Sequence, residues 1–132
     1  MEKELHAVLS IRLFTDRKSF GPGIAELLHR VEEHHSLRAA AQSMEMAYSK
    51  AWAITKNAEE GLGIRLLSST TGGKGGGGAV LTPEARQLLE AYDRFCEKLR
   101  AYADQVRASK ATLYGGPASV AEATVKYVLR IN

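Results

Sequence analysis

The chain of 132 residues has one cysteine, Cys96, so no intrachain disulfide can form and no cysteine-cluster metal site can be built. Long apolar runs are missing too, since none approaches the roughly 18–20 residues a membrane span requires. The opening residues, Met1-Glu2-Lys3-Glu4, lack the basic-then-apolar design of a secretory signal. These absences point to a reducing cytoplasm and to no membrane partner. Aromatic residues are sparse at 7%, and the charge is mixed: 18 Lys and Arg against 15 Asp and Glu leave a net +3. That excess fits an anionic partner but falls short of strong basicity, and solubility alone would account for it. No nucleophile stands with a base and an orienting acid, so neither an enzyme nor a cofactor is expected.

What is present is an ordinary globular composition, 45% hydrophobic and 25% charged, enough for one domain or one domain with an extension. Residues 5–13 are apolar at every odd position, which predicts a strand with one buried face. Residues 16–19 read as a turn. Ile24, Leu27, Leu28 and Val31 then recur at helical spacing and predict a first helix over 22–34. Ser36 is a suitable N-cap for a short second helix with Leu37, Ala40, Ala41 and Met44 on its buried stripe. The paired alanines let a following helix cross closely, as helix-turn-helix packing requires. Glu45 and Met46 make the turn. A third helix over 47–61 places Ala51, Ile54 and Ala58 inward and Tyr48, Ser49, Lys50 and Lys56 outward, and Gly61-Leu62-Gly63 ends it.

Residues 64–68 and 79–81 can pair as two short strands. Their connection packs six glycines and Lys74 into seven residues, so backbone amides there can approach a phosphate closely. The run fails as a nucleotide-binding loop, because Lys74 is followed by Gly75 instead of a hydroxyl residue and the run precedes a strand. Thr82-Pro83-Glu84 opens a long helix. Along it Leu88, Tyr92, Phe95, Leu99, Tyr102 and Val106 form a heptad seam longer than the rest of the chain can cover, so a second copy is its expected partner. Beyond Gly115-Gly116-Pro117, the tail combines a capping-box start with alternation at Val125, Tyr127, Leu129 and Ile131, and the strand reading is preferred. His29 and Glu33 stand one helical turn apart, but nothing completes a metal-ligand set.

Two resemblances meet at these residues. Residues 36–67, with the alanine pair, Lys50-Ala51 and the closing Gly61-Leu62-Gly63-Ile64-Arg65-Leu66-Leu67, are similar to the N-terminal DNA-binding domain of LysR-type regulators. Gly21-Pro22-Gly23, Met46-Ala47-Tyr48-Ser49-Lys50-Ala51-Trp52 and the block from Thr71 through the glycines to Thr82-Pro83 resemble the winged-helix domain of molybdate-dependent regulators of the ModE type. The likeness covers residues 9–102. It departs at His35, where a glycine is usual, at Glu59, where an asparagine is usual, and at Arg65, where a proline is usual. It implies a homodimer that inserts its third helix into the major groove. No counterpart of the C-terminal molybdate-binding domains of full-length members is expected in these residues, so molybdate sensing is not carried over, and no effector is assigned.

The expected architecture is mainly α with a small β component. Residues 1–82 would form a winged helix-turn-helix, residues 83–114 a long dimerisation helix, and residues 115–132 a C-terminal extension. The expected function is sequence-specific binding of double-stranded DNA as a homodimeric transcriptional regulator. Tyr48, Ser49 and Lys50 open the third helix, where side chains reach base edges. Ser36, Arg38, Lys56, Thr71 and Lys74 are assigned to backbone phosphates. Trp52 is expected to pack against the wing and first strand, outside the site. Two alternatives stand beside this reading: a winged-helix protein-interaction module, and a small oxyanion binder using the glycine loop or the dimer interface.

Overall fold

In a computed structural model, residues 8–70 and 77–114 are described. The start of the expected first strand, the wing-tip residues Thr71 and Lys74, and the extension over residues 115–132 lie outside them. The chain divides into two compact units, one of them Arg12–Ala91 and the other comprising, among the described residues, 8–11 and 92–114.

In the first unit, a short hairpin pairs β1 (Leu13–Phe14) with β2 (Lys18–Phe20) in antiparallel register. The strand expected over residues 5–13 is therefore much shorter in its described part, since residues 8–12 join no ladder. Alternation still reports burial there, because Leu9 and Ile11 are buried while Val8, Ser10 and Arg12 are exposed. A period of two encodes a one-faced extended segment and says nothing of a neighbour to share its hydrogen bonds. The turn also sits earlier than expected, leaving Lys18 and Ser19 in β2. Buried Ser19 is satisfied there by the Arg17 carbonyl at 3.0 Å and the Thr15 hydroxyl at 2.8 Å.

Helix α1 (Pro22–His34) has proline at its first position and buries Ile24, Leu27, Leu28 and Val31. It ends at His35, whose left-handed backbone (φ 57°) lets its amide bond the Val31 carbonyl. Ser36 then caps α2 (Leu37–Ser43), its hydroxyl accepting from the Ala39 amide at 3.1 Å. Ala40 and Ala41 are buried, as close helix crossing demands, while Leu37 and Met44 are half-buried. Arg30 donates to both the carbonyl and the hydroxyl of Ser43 at 3.0 Å, so α1 supplies partners to the far end of α2.

Helix α3 (Tyr48–Leu62) buries Ala51, Thr55 and Ala58. Thr55 takes the inward place expected of Ile54, which is half-buried, because its hydroxyl bonds the Ala51 carbonyl at 2.9 Å within the helix. Gly61 lies inside the helix: a Cβ there would stand 2.5 Å from the Ser19 hydroxyl, so glycine permits β2 to approach α3. Gly63, at φ 72°, makes the actual C-cap.

Strands β3 (Leu67–Thr70) and β4 (Gly78–Leu81) form the wing, with Leu67 opposite Leu81 and Thr70 opposite Gly78. The first strand begins later than residue 64 because Leu66 is fully buried and its amide bonds Glu59 of α3 instead of joining a ladder. Thr82 caps α4 (Pro83–Tyr114) by accepting from the Ala85 amide at 3.1 Å. At 32 residues, α4 is about 48 Å long at 1.5 Å per residue.

The expected seam on α4 is divided. Tyr92 is buried, Leu88, Leu99 and Val106 are half-buried, and Phe95 and Tyr102 are exposed. In the second unit Tyr92, Cys96 and Ala103 are buried, and the Tyr92 hydroxyl donates to the Ile11 carbonyl at 2.6 Å. Burial above all, then Cys96 beside it, pushes the Tyr92 phenol well up, so it stays a neutral donor. Among the described residues no helix is long and apolar enough to cross a membrane.

Candidate nucleic-acid interface

All site positions among the described residues lie in the Arg12–Ala91 unit. Tyr48, Ser49 and Lys50 occupy the first turn of α3 and are exposed, as the outward face of an amphipathic helix should be. Ala51, Thr55 and Ala58, at helical spacing, form the buried stripe of the same helix.

Between α3, the start of α2 and the wing lies a cleft of about 420 Å³. Arg38, Tyr48, Trp52, Lys56, Glu59, Arg65, Ser68 and Ser69 are among its lining residues. The cleft thus gathers three of the expected site residues, Arg38, Tyr48 and Lys56. Ser36, Ser49 and Lys50 stand outside its lining, and the Ser36 hydroxyl is engaged by its helix cap.

Two cation–aromatic pairs order the cleft. The Arg38 guanidinium carbon lies 4.3 Å from the Tyr48 ring centroid, joining the second and third helices. The Lys56 ammonium lies 5.4 Å from the Trp52 ring centroid, one helical turn away. Such contacts are worth about 0.5–1 kcal/mol at exposed sites, and they restrict long side chains to a few rotamers. Trp52, expected to pack against the wing outside the site, is half exposed and lines the cleft alongside wing residues, beside Arg38, Tyr48 and Lys56. Its signal was its spacing, because Tyr48, Trp52 and Lys56 succeed one another every four residues on one face.

Glu59 joins the cleft to the wing. One carboxylate oxygen accepts from the Leu66 amide at 2.7 Å, and the other pairs with the Lys56 ammonium at 3.2 Å. Burial alone would push this carboxyl up, but the Leu66 amide, then the Lys56 hydrogen bond and charge, and the Leu67 amide hold it below the usual carboxylate range. Sequence reasoning noted Glu59 only as a departure and did not see this role. Arg65, Ser68 and Ser69, none of them among the expected site residues, also line the cleft, Ser68 and Ser69 from β3 paired with β4. No group of three or more His, Cys, Asp or Glu side chains converges among the described residues.

Three helices followed by a two-stranded wing, with the third helix open to solvent, define a winged helix-turn-helix domain. It is related to those of LysR- and ModE-type regulators. The family of bacterial regulatory helix-turn-helix proteins of the lysR type matches residues 25–86. The transcriptional regulator ModE of Haemophilus influenzae is 35% identical over 72 residues, covering 54% of this chain and 28% of the relative. The DNA-binding transcriptional dual regulator ModE of Escherichia coli K12 is 32% identical over 95 residues, covering 70% of this chain and 34% of the relative. The chain thus spans only about a quarter to a third of the length of these relatives. Among solved structures, the fold is similar to that in the crystal structure of a CbnR_DBD–DNA complex. That match has a TM-score of 0.52 and 23% identity, covering 66% of this chain and 94% of that one.

Proposed function

We propose that this chain is a sequence-specific regulator that binds double-stranded DNA as a homodimer, with α3 in the major groove and the wing on the sugar–phosphate backbone. The carrying observation is the cleft beside an open helix face. Arg38, Lys56 and Arg65 line it next to the exposed Tyr48, Ser49 and Lys50. Cations set beside an open helix start suit a phosphate strand entering a groove. Tyr48, Ser49 and Lys50 read base edges. Ser36, Arg38, Thr71 and Lys74 hold phosphates, and Lys56 faces the backbone beside them. Residues 1–82 act as the reader and 83–114 as the dimerisation helix, with 115–132 an extension of unassigned role.

Relatives named as transcriptional regulators support this reading. Dimerisation is supported by Phe95 and Tyr102, large apolar side chains one heptad apart that are 45% and 52% exposed. Selection of bound sequences from random duplex DNA tests the proposal, and it should return a pseudo-palindrome with half-sites spaced by about 34 Å or its multiple. Recovery of no common sequence, together with binding indifferent to salt, would refute it.

A further inference from the structure

Among the described residues, Lys56 is the cation on the cleft whose ion pair is made inside α3. Its ammonium lies 3.2 Å from Glu59, a carboxylate whose side chain is only 11% exposed, while Lys56 itself is 42% exposed. Glu59 cannot readily swing away, because its second oxygen holds the Leu66 amide at the entry to the wing. Lys56 is also limited by the Trp52 ring. A fixed anion therefore stands beside the site where a phosphate would meet Lys56.

We propose that Glu59 is a specificity-determining residue that cancels the Lys56 charge toward the DNA backbone, so that recognition relies on the base-reading face of α3 rather than on this phosphate contact. The inference rests on the DNA-binding reading above. A phosphate placed against Lys56 also meets the Glu59 carboxylate, and the three groups together carry a net negative charge. That phosphate keeps its counterion, and binding there gains little from ion release. Lys56 then contributes orientation and shape. Sequence-independent affinity is held down while contacts from Tyr48, Ser49 and Lys50 are untouched, which widens the gap between specific and non-specific sites.

The test is the full chain with Glu59→Gln, which removes the charge but keeps an amide oxygen for the Leu66 N–H. Binding is measured against a selected site and against random duplex from 0.05 to 0.5 M salt. The substitution should steepen the log–log salt slope by about 0.9, the increment for one neutralised phosphate. Its tightening of random-duplex binding should be about eightfold greater at 0.05 M than at 0.5 M salt, and it should lower the specific-to-random ratio. Lys56→Gln should change the native slope by less than about 0.3, yet remove about 0.9 in the Glu59→Gln background. An unchanged or shallower slope in Glu59→Gln overturns the inference while leaving DNA binding in place. If Glu59→Gln does not fold, Lys56→Gln alone decides, because a loss of the full 0.9 shows Lys56 already neutralising a phosphate. Failure of the native chain to bind duplex overturns both readings.

Discussion

The Ala79 amide donates to the His35 carbonyl at 3.0 Å, tying the returning wing strand to the turn between α1 and α2. Gly78 makes this approach possible. A Cβ at that position would lie 2.5 Å from the Thr70 hydroxyl and 2.8 Å from the His35 carbonyl. The hydroxyl can rotate, but the carbonyl is backbone and cannot. Gly78→Ala should therefore destabilise the chain by about 1–3 kcal/mol through overpacking. Urea denaturation checks this, and a stability within error of the native chain would show that the wing yields there at little cost.

His35 itself holds φ at 57°, where a non-glycine residue is strained. The left-handed region costs such a residue roughly 1–2 kcal/mol, and glycine returns part of that gain in backbone entropy. His35→Gly should thus stabilise the fold by about 0.5–1 kcal/mol, seen as a higher denaturation midpoint. A lower midpoint would mean the imidazole makes a contact that outweighs the strain.

These two residues also mark how far the sequence could be read. The helices were legible because apolar spacing at Ile24, Leu27, Leu28 and Val31 and the Ser36 cap are local signals, and α1 spans the expected residues. The departure at His35 was visible, and the left-handed backbone there explains why glycine is the easier choice. The cleft was not legible. Trp52 has its polar edge and apolar face in any sequence, and only the folded wing decides whether it is covered or left half exposed. Strand ends failed for the same reason: Leu66 is apolar and extended either way, and tertiary bonding to Glu59 removes its amide from the ladder. On α4 the heptad pattern was found, yet the folded chain buries Ala85, Leu89, Cys96 and Ala103 beside it, which the spacing of larger residues had concealed.

That division of α4 selects the better probe of self-association. Leu99 is half-buried, so a charge there would disturb folding as well as any interface. Phe95 and Tyr102 are exposed, and a charge on either should leave the subunit folded. Phe95→Glu combined with Tyr102→Glu should convert dimers to monomers in analytical ultracentrifugation with an unchanged helical circular dichroism signal. Dimers that persist would remove this face from the proposed assembly.

Base reading is assigned to the first turn of α3, where Lys50 is exposed and stands outside the cleft lining. Lys50→Ala should cost about 1–3 kcal/mol on a selected site and relax preference at one base position. Binding to random duplex should weaken far less. Equal losses on both DNAs would reassign Lys50 to the backbone and shift the reading helix in its groove.

The Glu59 carboxyl gives a stability signal independent of DNA. Its folded value lies below the ordinary glutamate range, so the native state favours the ionised form more than the unfolded chain does. The resulting stabilisation is fully present above the unfolded value, near 4.3, and is lost as pH falls through the lower folded value. Glu59→Gln cannot titrate there, and its amide oxygen offers Leu66 the same acceptor at every pH. The stability difference between the native chain and Glu59→Gln should therefore be larger at pH 7 than at pH 3, measured by denaturant unfolding at both. A difference constant with pH would show that the Leu66 amide and Lys56 do not discriminate between the charged and neutral carboxyl.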